Sequence, residues 1–211
     1  MINEDKSGKV IDDQRQNKHS RAERDPTRRA RDTAVPPIER IASLFARGNH
    51  GYASLPTSAG ASLRRLDINR PARSMNAVIS ALVTAELPVE AMNDDELLRW
   101  ASIIHVVALL AGTAGKSVHR SSRAAGKSIA AAEYSNARFA RLLTAQGAAL
   151  PPQVVRLARF LATKQVALPL DLRPIAELLL WDGRDTPRAD SARMTLARAY
   201  YTGSAVKSTV E

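Results

Sequence analysis

Arg138 with Arg141, and Arg156 with Arg159, stand three residues apart in stretches that lack an acid at helical spacing. Across residues 116–164 the cations are Lys116, Arg120, Arg123, Lys127, Arg138, Arg141, Arg156, Arg159 and Lys164, and the only acid is Glu133. Exposed helix faces ordinarily mix signs, because opposite charges at i,i+3 and i,i+4 stabilise the helix. Local ion pairing therefore does not account for these arginines, whereas charge-assisted contacts to a sugar-phosphate backbone do. A basic residue taken alone usually only keeps a surface soluble; the group as a whole points to a polyanion.

Other residue patterns suggest catalysis and fail on spacing. Gly115-Lys116-Ser117 and Gly126-Lys127-Ser128 resemble the end of a phosphate-binding P-loop, which requires a glycine five residues before its second glycine. Those positions hold Leu110 and Ser121, and no apolar strand precedes either. The four histidines, His19, His50, His105 and His119, form no i,i+4 pair and no His-Glu-x-x-His arrangement, so no metal site is expected. His105 lies in an apolar stretch and reads as a hydrogen-bonded core histidine. Asp94, Asp95 and Glu96 read as carboxylates complementing a helix N-terminus, and Trp100 and Trp181 as core. With no cysteine in the chain, thiolate catalysis and cysteine-ligated zinc are excluded. No catalytic residue and no cofactor is expected, and the chain reads as non-enzymatic.

The elements that must carry the arginines are helical. The formal net charge is +10 over 211 residues, which favours a polyanionic partner. Aromatic residues make up only 4%, too few for a sheet that reads single strands by stacking bases, so helices must do the binding. Pro37 opens a helix through Ile38, Ile41, Leu44 and Phe45 to a stop at Gly48, and a Gly/Ser/Pro-rich loop covers residues 51–60. Residues 61–66 form a short helix with Arg64 and Arg65, and Pro71 restarts one through Met75 to Val83. Asn93 and Glu96 make a capping-box-like start to a buried helix over 94–111, which Gly112 ends. Ser135 starts a helix with Phe139, Leu142 and Leu143 on one side. In the next, begun by Pro151-Pro152, Val154, Leu157, Ala158 and Leu161 oppose Arg156, Arg159 and Thr163. Further helices run from Pro174 through Trp181 and from about Ala189 to Tyr201. The expected fold is all-α: a disordered mixed-charge arm over 1–35, an N-terminal helical bundle over 36–114, a basic connecting loop over 115–127, a C-terminal bundle over 128–203 and a disordered tail over 204–211. The longest apolar stretch, residues 103–111, is too short to cross a bilayer, and a cytoplasmic location without membrane contact is expected.

Three local patterns in order resemble the CasB-type small subunit of the type I-E CRISPR surveillance complex Cascade. Ala61-Ser62-Leu63-Arg64-Arg65 looks like the family's Leu-Arg-Arg signature. The apolar helix and basic loop are followed by Gly126-Lys127-Ser128-Ile129 and Ser135-Asn136-Ala137-Arg138-Phe139-Ala140-Arg141-Leu142-Leu143, similar to its Ser-x-x-Arg-Phe-x-x-Leu-Leu segment. Val155-Arg156-Leu157-Ala158-Arg159-Phe160-Leu161 then leads to Leu178-Leu179-Leu180-Trp181 and the Tyr200-Tyr201 ending. The resemblance spans residues 37–203; residues 1–33 have no counterpart in it, and Met194 stands where an Arg-Trp pair often precedes the final aromatic segment. It implies a subunit with no chemistry of its own, present as two copies packed head to tail against large and backbone subunits, bracing target DNA that pairs with guide RNA and the strand displaced from it. Arg64, Arg65, Arg120, Arg123, Lys127, Arg138, Arg141, Arg156 and Arg159 are then the candidate nucleic-acid-binding residues.

Two other classes compete. A helix-turn-helix regulator is also basic and helical, but its recognition helix carries base-edge donors such as Asn and Gln beside Arg, whereas the Arg156 helix offers chiefly arginines among apolar residues. A helical nucleotide hydrolase needs acids converging on one site, and the acids here are scattered or at helix starts.

Overall fold

A long buried helix, Asp94–Ala111, organises the chain. In the computed structural model the described residues are 37–46, 55–112, 117–164 and 168–208, so the expected arm over 1–35 and the Gly48 stop lie outside them. Nine α-helices occur among the described residues: α1 (Pro37–Ser43), α2 (Thr57–Arg64), α3 (Met75–Thr84), α4 (Asp94–Ala111), α5 (Ala125–Ala131), α6 (Asn136–Thr144), α7 (Leu150–Thr163), α8 (Arg173–Trp181) and α9 (Thr186–Ser208). Single 3-10 turns over Pro71–Ser74, Val89–Ala91 and Gly147–Ala149 precede α3, α4 and α7. The only β-type pairing among these residues is one parallel bridge between His119 and Leu170.

The bounds of α4 follow from local chemistry. Asn93 Oδ1 accepts from Glu96 N at 2.9 Å, three acids fill the first turn, and Gly112 adopts φ +59° where other residues are strained. Between these ends nearly every side chain from Trp100 to Ala111 is buried, so α4 must be covered all round. Helices α1, α2 and α3 pack on it from the first half of the chain, and α7 and α8 from the second. One continuous apolar core results, running from Ile38 to Tyr200, and the described residues form a single compact unit.

Helix α5 is too short to stand alone and depends on docking to α9. A side chain on Gly126 would collide with the backbone of Leu196 and Tyr200, so the missing Cβ lets the two helices touch backbone to backbone. Gly126 and Lys127, expected in the connecting loop over 115–127, therefore lie in the first turn of a helix. The remaining loop is pinned to residues 168–172: Leu170 N donates to Val118 O, Arg120 N to Leu170 O, Asp171 N to Arg123 O and Leu172 N to His119 Nδ1.

Two helix ends differ from expectation. Helix α2 begins at Thr57, inside the stretch expected to be loop, with Pro56 as its flanking residue. Helix α9 starts at Thr186 and continues through residue 208, taking in part of the expected tail, because Gly203 passes closely over Lys127 and Ala130 of α5 and tertiary packing outweighs the glycine.

Candidate nucleic-acid interface

Helix α6 exposes its arginines because its other side is strongly held. Phe139 is fully buried and stacks on Tyr200 of α9 with centroids 3.9 Å apart, while Tyr200 Oη donates to Tyr134 O at 2.6 Å. With Phe139 and Leu142 facing in, Arg138 and Arg141 are left exposed. Helix α7 obeys the same logic: Leu150, Val154, Val155, Leu157, Ala158 and Leu161 are buried, and Arg156, Arg159 and Thr163 are exposed on the opposite side.

Tyr134, immediately before α6, marks where the two helices bring charge together. It is buried and packs on Phe160 of α7 at 5.1 Å between centroids. Burial holds its phenol above the ordinary range, and the cations of Arg138, Arg156 and Arg141 pull it back down. The cations of both helices are thus felt at the one buried phenol between them. Among the described residues, none of Arg138, Arg141, Arg156 and Arg159 has a carboxylate within 4.0 Å, so their mutual repulsion is not offset by local acids. Arg159 also reaches inward electrostatically: with burial as the main cause, it helps hold His105 of α4 below the ordinary imidazole range, against a hydrogen bond to Leu63 O that raises it. Lys164 extends the cationic face at the end of α7, its ammonium 5.9 Å from the Phe160 ring centroid.

The other candidates are distributed differently. Arg64 Nη1 donates to Gly112 O at 3.2 Å and so caps the C-terminus of α4, and Arg123 Nη1 donates to Leu168 O at 3.0 Å. Both are half-buried, and both help hold the fold together. Arg65 at the end of α2, Arg120 after the bridge and Lys127 on α5 are exposed.

Three further side chains matter that the sequence did not single out. Arg99 donates to the carbonyls of Leu179, Leu180 and Asp182 at 2.7–3.2 Å and to Asp95 at 2.8 Å, tying α4 to the end of α8. Arg193 donates to Leu143 O and Ala145 O at the end of α6, and pairs with Asp190 and with the buried Asp182. Asp182 also accepts from Gly147 N at 2.6 Å. The spacings Asp95/Arg99 and Asp190/Arg193 are visible in the sequence, but the long-range partners are not.

His105 is the hydrogen-bonded core histidine expected, 1% exposed with Nδ1 2.7 Å from Leu63 O. Trp100 is core, while Trp181 is half-buried with the Arg188 guanidinium 4.5 Å from its ring. Among the described residues no cluster of His, Asp and Glu could hold a metal, and no helix is long and apolar enough to cross a membrane.

No curated protein and no solved structure matches this chain. A family model, CRISPR-associated protein Cse2, does match, over residues 59–201, which takes in α6, α7 and most of the core described above. The matched segment, the all-helical fold and the ordered motifs agree, and the chain belongs to the CRISPR-associated Cse2 family, the CasB-type small subunits of type I-E Cascade in CRISPR defence.

Proposed function

We propose that this subunit performs no chemistry and braces nucleic acid within Cascade, its basic α6–α7 face holding the paired and displaced DNA strands and stabilising the R-loop. The observation that carries this reading is the exposure of Arg138, Arg141, Arg156 and Arg159 on two helices packed against each other, with no carboxylate within 4.0 Å of any of them among the described residues. Sequence is read by guide-RNA pairing, and the exchange of a DNA duplex for an RNA–DNA duplex is close to balanced in free energy. A few charge-assisted phosphate contacts are then enough to tilt it. On the same reading two copies pack head to tail and meet the large and backbone subunits through surfaces away from this face. Arg159, Arg65, Arg120 and Lys127 extend the phosphate-binding surface, and Arg64 and Arg123, half-buried at its edge, add their positive charge to it.

The test is a salt titration of binding to DNA of unrelated sequence. Replacing Arg138, Arg141 and Arg156 together by Gln lowers the log-log salt slope by about 2 to 3, since each neutralised phosphate contributes about 0.7 to 0.9. Thermal stability stays close to that of the parent, because all three side chains are exposed. An unchanged slope in a folded triple variant defeats the proposal.

A further inference from the structure

Among the described residues Tyr201 is the aromatic side chain that the fold leaves most open, 46% exposed on α9 while Phe139, Tyr134 and Tyr200 are buried. It is nevertheless held. Its hydroxyl donates to Asn136 Oδ1 at 2.9 Å, and its ring stands nearly perpendicular to those of Phe139 (75°) and Tyr200 (88°). Neither neighbour is parallel to it: both contacts are edge-to-face, and close to half of the residue stays open to solvent. A ring restrained in this way loses little further entropy when a flat partner lies on it.

The surroundings select the partner. Helix α6 runs antiparallel to α9, with Asn136 at its start beside Tyr201 and the carbonyls of Leu143 and Ala145 at its end bonded to Arg193. Tyr201 therefore sits at the same end of α6 as Arg138. On α9 itself, Arg198 lies one turn before Tyr201 and Met194 one turn before that, both exposed; Arg198 has no carboxylate within 4.0 Å among the described residues. A part-exposed ring with an unpaired cation one turn away on its own helix and further cations at the same end of α6 fits a nucleobase whose strand runs on to those cations, the combination by which proteins hold unpaired strands. An acidic protein surface would match the charge but not need the ring face.

We infer that Tyr201 is a stacking platform for an unpaired base of a single strand that follows the α6 arginines. This rests on the reading of the α6–α7 face given above, and the experiment separates the two. The full chain is titrated with a mixed-sequence single-stranded DNA and with an abasic strand of equal length, and RNA of the same sequence distinguishes the two polymers. Tyr201→Ala weakens binding of the base-bearing strand by about five- to a hundredfold, binds the abasic strand as the parent does, and leaves the salt slope unchanged because no phosphate contact is lost. Tyr201→Phe, which keeps the ring, stays close to the parent.

Equal binding by Tyr201→Ala and the parent overturns the platform while leaving the basic face in place, provided the Arg138/Arg141/Arg156 variant still loses slope. An equal loss on the abasic strand assigns Tyr201 a purely structural role and overturns it too. Weakened capture of a protein subunit with strand binding intact overturns it in favour of a protein contact. If the parent binds neither strand, the platform and the basic-face reading fall together.

Discussion

Arginines do opposite work in two regions of this subunit. At the junction of α6, α8 and α9, Arg193 is nearly buried, its guanidinium distributed over two main-chain carbonyls and two carboxylates. On the α6–α7 face, Arg138, Arg141 and Arg156 are exposed and have no carboxylate neighbour among the described residues. Arg193 and Arg99 each have an acid at i−3 or i−4, and each is drawn against the fold; the face arginines have none. An acid at helical spacing thus marks these two helix-joining arginines, whereas Arg64 and Arg123 reach main-chain carbonyls without one.

The largest expected effect lies at the junction. Arg193→Ala leaves Asp182 as a buried charge with only the Gly147 amide, and removes the donor from the carbonyls at the end of α6. Breaking such a pair costs about 3–5 kcal/mol, measurable by chemical denaturation, while Arg156→Ala changes stability by about 0.5 kcal/mol or less. If Arg193→Ala loses as little as Arg156→Ala, the contrast between the regions disappears. Asp182→Asn, which removes the charge and keeps the shape, falls between the two.

A smaller effect sharpens the contrast at α5, where exposed Lys127 is carried by a helix whose attachment is made by backbone. Gly126→Ala forces α5 and α9 apart and costs roughly 1–3 kcal/mol, without altering the salt slope of nucleic-acid binding. Gly203→Ala is the control: its nearest neighbour, Lys127 Cα, lies 3.2 Å from the added Cβ, so it costs less. Equal losses from the two glycines would mean that the close approach at Gly126 is unimportant.

Whatever is set within a few residues was legible in the sequence. The Asn93 cap, the Gly112 stop and the apolar run between them bound α4, and the 3.6-residue spacing on α6 and α7 named which arginines face out. The start of α2 and the length of α9 were not legible, because propensity disfavours a helix through Gly60 or Gly203 and packing overrides it. Nor could the sequence tell Arg64, bonded to Gly112 O, from Arg65, exposed beside it: adjacent helical positions point in different directions, and which one meets a carbonyl is decided by where α4 ends. Tyr201 was visible only as part of an aromatic ending, since its exposure depends on Phe139 and Tyr200 filling the core beneath it.

The smallest effect tests the border between the two kinds of region, at His105. Burial, with the Arg159 cation adding to it, holds this imidazole below its ordinary value of about 6.5, while the bond to Leu63 O opposes the shift. The unfolded chain therefore binds the proton more readily than the folded one. The resulting stability is fully present above pH 6.5 and is lost as pH falls through 6.5 toward the lower folded value, at no more than about 1.4 kcal/mol per pH unit. Denaturation at stepped pH detects this as a slope that His105→Asn, whose amide can still bond Leu63 O, flattens. Arg159→Gln removes one of the groups that disfavour the charged imidazole, so it makes the slope shallower without abolishing it. Identical pH profiles for the parent and Arg159→Gln would confine the cations of this face to the solvent side, with no influence on the core beneath them.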